Sequence, residues 1–133
     1  DSHPRTKMVI IWAGIECLVK APSVGLRRAL RTRIAMILGN DDEEKKKIFK
    51  HVGKLYDDRC DATHGKEFAK LDYSKASIDE GTVTNISNMI ESYQLLEKLL
   101  WEMIRIERLY SSDELEELQD DFIARFPDLF PQE

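Results

Sequence analysis

Hydrophobic residues recur along this chain every three or four positions, and no stretch alternates in twos long enough to read as a strand. Five helices follow from that period. The first, over residues 6–20, is apolar almost all round and is expected to be buried on several sides. Pro22 and Ser23 break it, with Ser23 a candidate N-cap. The second runs to Leu38 along Leu26, Leu30, Ile34 and Ile37, and Gly39 suits a left-handed C-terminal position. Asn40 or Asp41 caps the third, where Asp42, Glu43 and Glu44 complement the helix dipole. It is expected to end near His64-Gly65. A loop over residues 65–77 carries Lys66, Lys70 and Lys75.

Ser77-x-x-Glu80 predicts a capping box for the fourth helix. Its stripe of Ile86, Met89, Tyr93, Leu96, Leu100 and Met103 carries on to Tyr110, a length of about 45 Å. Ser111-x-x-Glu114 opens the fifth, with Leu115, Leu118, Phe122 and Phe126 inward and Pro127 as the stop. The expectation is an all-α bundle of about five helices, one domain over residues 1–133.

Length and composition fit that picture: 133 residues allow one real core, and no apolar run approaches the roughly 18 residues that span a bilayer. No membrane partner and no secretory signal are expected. The first Met is Met8, which suggests a fragment of a longer protein, with residues 1–4 an added remnant. Cys17 and Cys60 form no CxxC pair, so they are expected to be small buried hydrophobes in a reducing cytoplasm. The net charge of −5 speaks against nucleic acid as a partner until its distribution is considered. Residues 101–133 hold 10 acidic and 3 basic side chains, whereas the first hundred hold 15 and 17, including Arg27, Arg28, Arg31 and Arg33.

Candidate chemistry concentrates on the third helix. At about 100° per residue, Ile48, Phe49, Val52, Leu55 and Tyr56 form one apolar stripe, and Arg59 falls within about 20° of its centre. An inward Arg needs a counter-charge, and Glu16, among apolar neighbours on the first helix, is the obvious one. The pair is either structural or the edge of a cleft. His64 lies about 140° further round, where unpaired carbonyls and Asp61 favour the imidazolium and suit acid–base work. A simple C-terminal cap is the alternative. Asp57, Asp61 and His64 share a face with metal-ligand spacing, but that face opposes the apolar stripe. No metal and no cofactor are expected, and no phosphate-binding glycine loop, GxSxG or HExxH is present.

The string Leu55-Tyr56-Asp57-Asp58-Arg59-Cys60-Asp61-Ala62-Thr63-His64-Gly65 resembles the Arg-x4-His signature of HEPN domains, in particular the Apea-like branch. Trp12-Ala13-Gly14-Ile15-Glu16-Cys17-Leu18 is similar to that branch's first helix, and Arg33-Ile34-Ala35-Met36-Ile37-Leu38-Gly39 to its Arg-Ile-Ala-x-Leu-Leu-Gly segment. The three stretches stand in the family's order and cover residues 8–65. The resemblance implies a helical bundle that commonly dimerises and a metal-independent endoribonuclease (a hydrolase by class) in a defence, toxin–antitoxin or abortive-infection setting. Arg59 and His64 would be its catalytic pair, with Glu16 and Asp61 in support. RNA would be steered by Lys66 and Lys70, or by Arg27 and Arg31. Cys60 stands where many active members carry a polar residue, often Asn. The alternative is a non-catalytic RNA- or nucleotide-binding, or dimerising, module of a larger defence protein.

Overall fold

Five helices and no strand make up the described residues, 4–63 and 80–131, of the computed structural model. They are α1 (Pro4–Leu18), α2 (Leu26–Leu38), α3 (Asp42–Thr63), α4 (Glu80–Ile106) and α5 (Ser112–Arg125). A 3-10 turn, Pro127–Leu129, follows where Pro127 stops α5. The chain is an all-α helical bundle. Ser77, the cap expected for α4, lies outside the described residues; α4 ends at Ile106, so its 27 residues span about 40 Å.

The first two helices exchange the roles that their compositions suggest. α1, apolar almost all round, is buried on one side only, through Met8, Ile11, Trp12 and Ile15. Val9 and Ile10 are exposed. α2, which carries four arginines, is the central helix: Ala29, Leu30, Thr32, Arg33, Ile34 and Ala35 are all buried. Arginine tolerates this place because its stem packs while its head reaches a partner. Arg33 is 5% exposed and donates to the carbonyls of Val19 and Lys20, both at 3.0 Å, and to Gln119 Oε1 at 2.8 Å. It therefore closes the open end of α1 and ties it to α5.

The helix ends show where local chemistry was read correctly and where packing overrode it. Asp41 Oδ1 accepts from Glu44 N at 2.8 Å, and Glu44 in return accepts from Asn40 N at 2.6 Å. Ser111 and Glu114 form the expected capping box. The N-cap of α2 is Gly25 at φ 73°, without a side-chain bond, rather than Ser23. Gly39 is extended (φ −83°, ψ 132°) rather than left-handed. Its need for glycine is steric: a Cβ would meet Lys45 Cγ at 2.6 Å and the Ala35 carbonyl at 2.8 Å, where α2 turns into α3. Among the described non-glycine residues the left-handed positions are Lys20 and Glu107, each closing a helix by paired carbonyl bonds.

The buried stripe of α4 is Asn88, Ser92, Leu95, Leu99 and Met103: Met103 is inward as expected, Met89 and Leu96 pack at the margin, and the rest of the stripe lies one position before the expected one. Tyr93 and Leu100 are exposed. A count of apolar residues alone passes over Asn88 and Ser92. Ser92 is inside because the buried indole of Trp12 needs an acceptor, and Trp12 Nε1 donates to its hydroxyl at 3.2 Å. Leu115 and Phe122 of α5 and its C-cap Phe126 are buried as expected, and Phe122 stacks on Phe49 of α3 at 5.0 Å between centroids.

One pH dependence follows from the start of α5. The Glu114 carboxylate is lowered from 4.5 to about 2 by the Arg108 guanidinium and then by the Ser111 backbone N–H. A folded-state value below the unfolded one stabilises fully above about pH 4.5, and this stabilisation disappears as pH falls toward 2. Glu114→Gln should therefore flatten the acid limb of the stability profile across that window. Denaturant midpoints with unchanged pH dependence between 5 and 2 would contradict the assignment.

Candidate functional site

The apolar stripe of α3 is laid out as its sequence dictates: Phe49, Val52 and Leu55 are buried, with Ile48 and Tyr56 packed at the margin. One turn beyond Leu55 the same face delivers Arg59 to α1. Arg59 Nη2 donates to Glu16 Oε2 at 3.2 Å, the pairing its position called for. The two side chains are 22% and 25% exposed, so the pair sits at the edge of the core rather than inside it.

Tyr56 completes this corner. Its ring meets Trp12 edge-on at 5.9 Å, and the Arg59 guanidinium carbon lies 5.6 Å from its centroid. Burial pushes the Tyr56 phenol up, and its hydrogen bond with the Cys60 thiol pushes it further. Arg59 Nε is buried and has no acceptor among the described residues. Arg59 is thus held to Glu16 through Nη2, while its buried Nε has no acceptor among the described residues.

The remaining candidates divide. His64, Lys66 and Lys70 lie outside the described residues, as does the side chain of Asp61. Arg27 is committed to the outer face of α3: its Nε and Nη2 meet Asp57 at 2.9 and 3.0 Å. That fork also occupies the carboxylate that the metal-spaced set Asp57, Asp61 and His64 would have needed. Arg31 stacks on Phe49, 3.7 Å from the ring centroid, and its Nε donates to the Phe49 carbonyl at 3.1 Å. Cys17 is exposed and Cys60 half-buried, so neither is the core hydrophobe expected. Exposure follows from the one-sided burial of α1.

Two features escaped the sequence reading. Arg33 is the arginine that the core buries, although neither the neighbouring arginines nor the segment Arg33–Gly39 marks it as inward. Gly53, mid-helix in α3, is the other. A Cβ there would lie 2.6 Å from Arg31 Nε and 3.1 Å from Arg27 Nη2. A glycine in a helix interior costs about 1 kcal/mol against alanine, a signal that something presses on the backbone.

Exposed ion pairs are worth about 0–1 kcal/mol and breaking buried ones costs about 3–5 kcal/mol. At about a quarter exposure, a double-mutant cycle of Glu16→Gln and Arg59→Met should give a coupling of about 1–3 kcal/mol. Additive effects on denaturant midpoints would mean that the two side chains act independently. In comparisons with known proteins, no family model, no curated protein and no solved structure matches this chain.

Proposed function

We propose that this chain is an Apea-like HEPN-type domain, a metal-independent endoribonuclease that cleaves RNA with Arg59 and His64 in a defence or toxin–antitoxin setting. The observation that carries the reading is Arg59 itself. It is anchored to Glu16 by one nitrogen at the end of an apolar stripe, with a buried Nε left without an acceptor among the described residues. The ordered motif string that includes His64 supports the same reading.

In the reaction, the 2′-oxygen attacks the adjacent phosphorus while the bond from phosphorus to the 5′-oxygen breaks. The products are a 2′,3′-cyclic phosphate and a 5′-hydroxyl. A histidine removes the 2′-hydroxyl proton and a second protonates the leaving oxygen. The guanidinium of Arg59 carries the charge that builds on the phosphorane oxygens. Glu16 holds the guanidinium in place, Asp61 supports the imidazolium, and Lys66 and Lys70 steer the RNA backbone.

One chain supplies one His64, so the domain acts as a homodimer. The surface suited to a second copy lies on α4, where Ile90, Tyr93, Leu100, Trp101 and Ile104 are 44–64% exposed along one helix. Among the described residues no helix is long and apolar enough to cross a membrane, so this strip is not a span.

A second reading, a non-catalytic binding or dimerising module, is favoured by the Glu16 pairing, which gives Arg59 a structural task. The two part on one assay. Cleavage of RNA in excess chelator should follow a bell-shaped pH profile near neutrality and fall at least about 100-fold in His64→Ala, with folding unchanged. Chelator-resistant cleavage that persists in His64→Ala would refute the assignment. No cleavage at any pH, with salt-sensitive RNA binding, would establish the module instead.

A further inference from the structure

The outer face of α4 carries two rows of exposed apolar side chains. At about 100° per residue, Ile90 and Trp101 fall within about 20° of one another around the axis and form one row. Leu100 stands on the other row, about midway in angle between Met89 and Tyr93. On that side Met89, Ile90 and Tyr93 meet Lys7 and Ile11 of α1 around an apolar hollow of about 230 Å³. Its volume lies below the roughly 300–1,000 Å³ of small-molecule sites and suits one inserted side chain. α1 lies close against α4 here: a Cβ on Gly14 would stand 3.3 Å from Leu96 Cδ1.

The spacing of these residues along α4 is that of a two-fold contact. The midpoint of Ile90 and Trp101 falls between Leu95 and Leu96. So does the midpoint between Leu100 and the hollow, whose walls on α4 run from Met89 to Tyr93. A dyad at that point would relate two antiparallel copies of α4 and keep each row on its own side of the seam. It would seat Leu100 of the second copy in the hollow and lay Trp101 of the second copy over Ile90. Each contact then occurs twice, as a closed two-fold interface requires.

Glu97 decides between the two directions in which the helices could pair. It is exposed and stands between the two rows, so a helix laid on this face covers its carboxylate. In a parallel pair the two Glu97 side chains would meet at one level, with like charges opposed in a seam that excludes water. In the antiparallel pair they are offset, and each faces Gln94 of the other copy. The midpoint of Gln94 and Glu97 is again between Leu95 and Leu96. The Gln94 amide can donate to that carboxylate. The area is adequate as well. Ile90, Tyr93, Leu100, Trp101 and Ile104 are about half exposed. Together they offer on the order of 500 Å² of apolar surface, against roughly 800 Å² of total surface per partner in a standard interface.

We propose that two copies of this chain pack α4 against α4 in antiparallel about a dyad between Leu95 and Leu96, a packing that rests on the homodimer proposed for the ribonuclease. Leu100 of each copy fills the α1–α4 hollow of the other, and Trp101 covers Ile90. Sedimentation of the full chain, with Trp101→Glu and Ile90→Lys made separately, tests the register. The wild type should dimerise at about tens of micromolar, and each variant at least about 10-fold more weakly. Both positions are exposed, so circular dichroism should show the helices unchanged. Mixed one to one, the variants should pair at least about 10-fold more tightly than either alone, because side chains of opposite charge then face each other across the seam. A wild type that is monomeric at about 100 µM, variants as dimeric as the wild type, or a mixture no tighter than its components would overturn the packing. RNA cleavage in chelator by the same samples separates it from the ribonuclease reading. A rescued dimer that cleaves nothing supports the packing and refutes the enzyme; a monomer that cleaves overturns the packing alone.

Discussion

The indole of Trp12 fixes where α1 can sit, and the geometry of the candidate site depends on it. It is wholly buried, its N–H is bonded to Ser92 on α4, and its ring meets the edge of Tyr56 on α3. A buried indole N–H without an acceptor costs on the order of 1–3 kcal/mol, so α1 is held both by burial and by one specific donor. Four residues on, Glu16 is presented on the same face toward Arg59. Sliding α1 by one turn would move Trp12 off Ser92 and Glu16 off Arg59 together.

At the other end of α1, Arg33 takes the carbonyls of Val19 and Lys20. The central helix of this bundle is therefore the one richest in arginine, and each arginine on it has a different task. Arg33 joins α1 to α5, Arg27 grips Asp57, and Arg31 lies across Phe49 and Gly53. Burial lowers the Arg33 guanidinium, while Glu116 and Asp120 of α5 raise it. The acidic C-terminal quarter of the chain is thus partly the counter-charge for α2.

The period of three and four was enough to read five helices and the inward faces of α3 and α5, because those helices have one apolar side each. It failed on α1 and α4, where apolar residues cover more of the helix than the core uses. In α4 Ile90, Leu100 and Ile104 face out while Asn88 and Ser92 face in, an arrangement visible only once Trp12 is placed. The Glu16–Arg59 pair was legible because a lone charge on each apolar stripe left few partners. The seating of Arg27 and Arg31 against Gly53 was not, since arginines in sequence do not disclose a glycine about three helical turns into another element. Arg27 and Arg31, read in sequence as cations for an RNA backbone, are seated on α3 at Asp57 and at the Phe49 carbonyl.

In the proposed reaction Arg59 and its helix end promote attack by a neighbouring 2′-hydroxyl. The measurement closest to it is the mass of the fragment ends from an RNA incubated with the domain in chelator, beside the same RNA carrying one 2′-deoxy nucleotide at the cleaved position. Such an attack leaves 2′,3′-cyclic phosphate ends on the first and the second strand intact. Cleavage of the 2′-deoxy strand at that position, or ends bearing a 5′-phosphate, would contradict it.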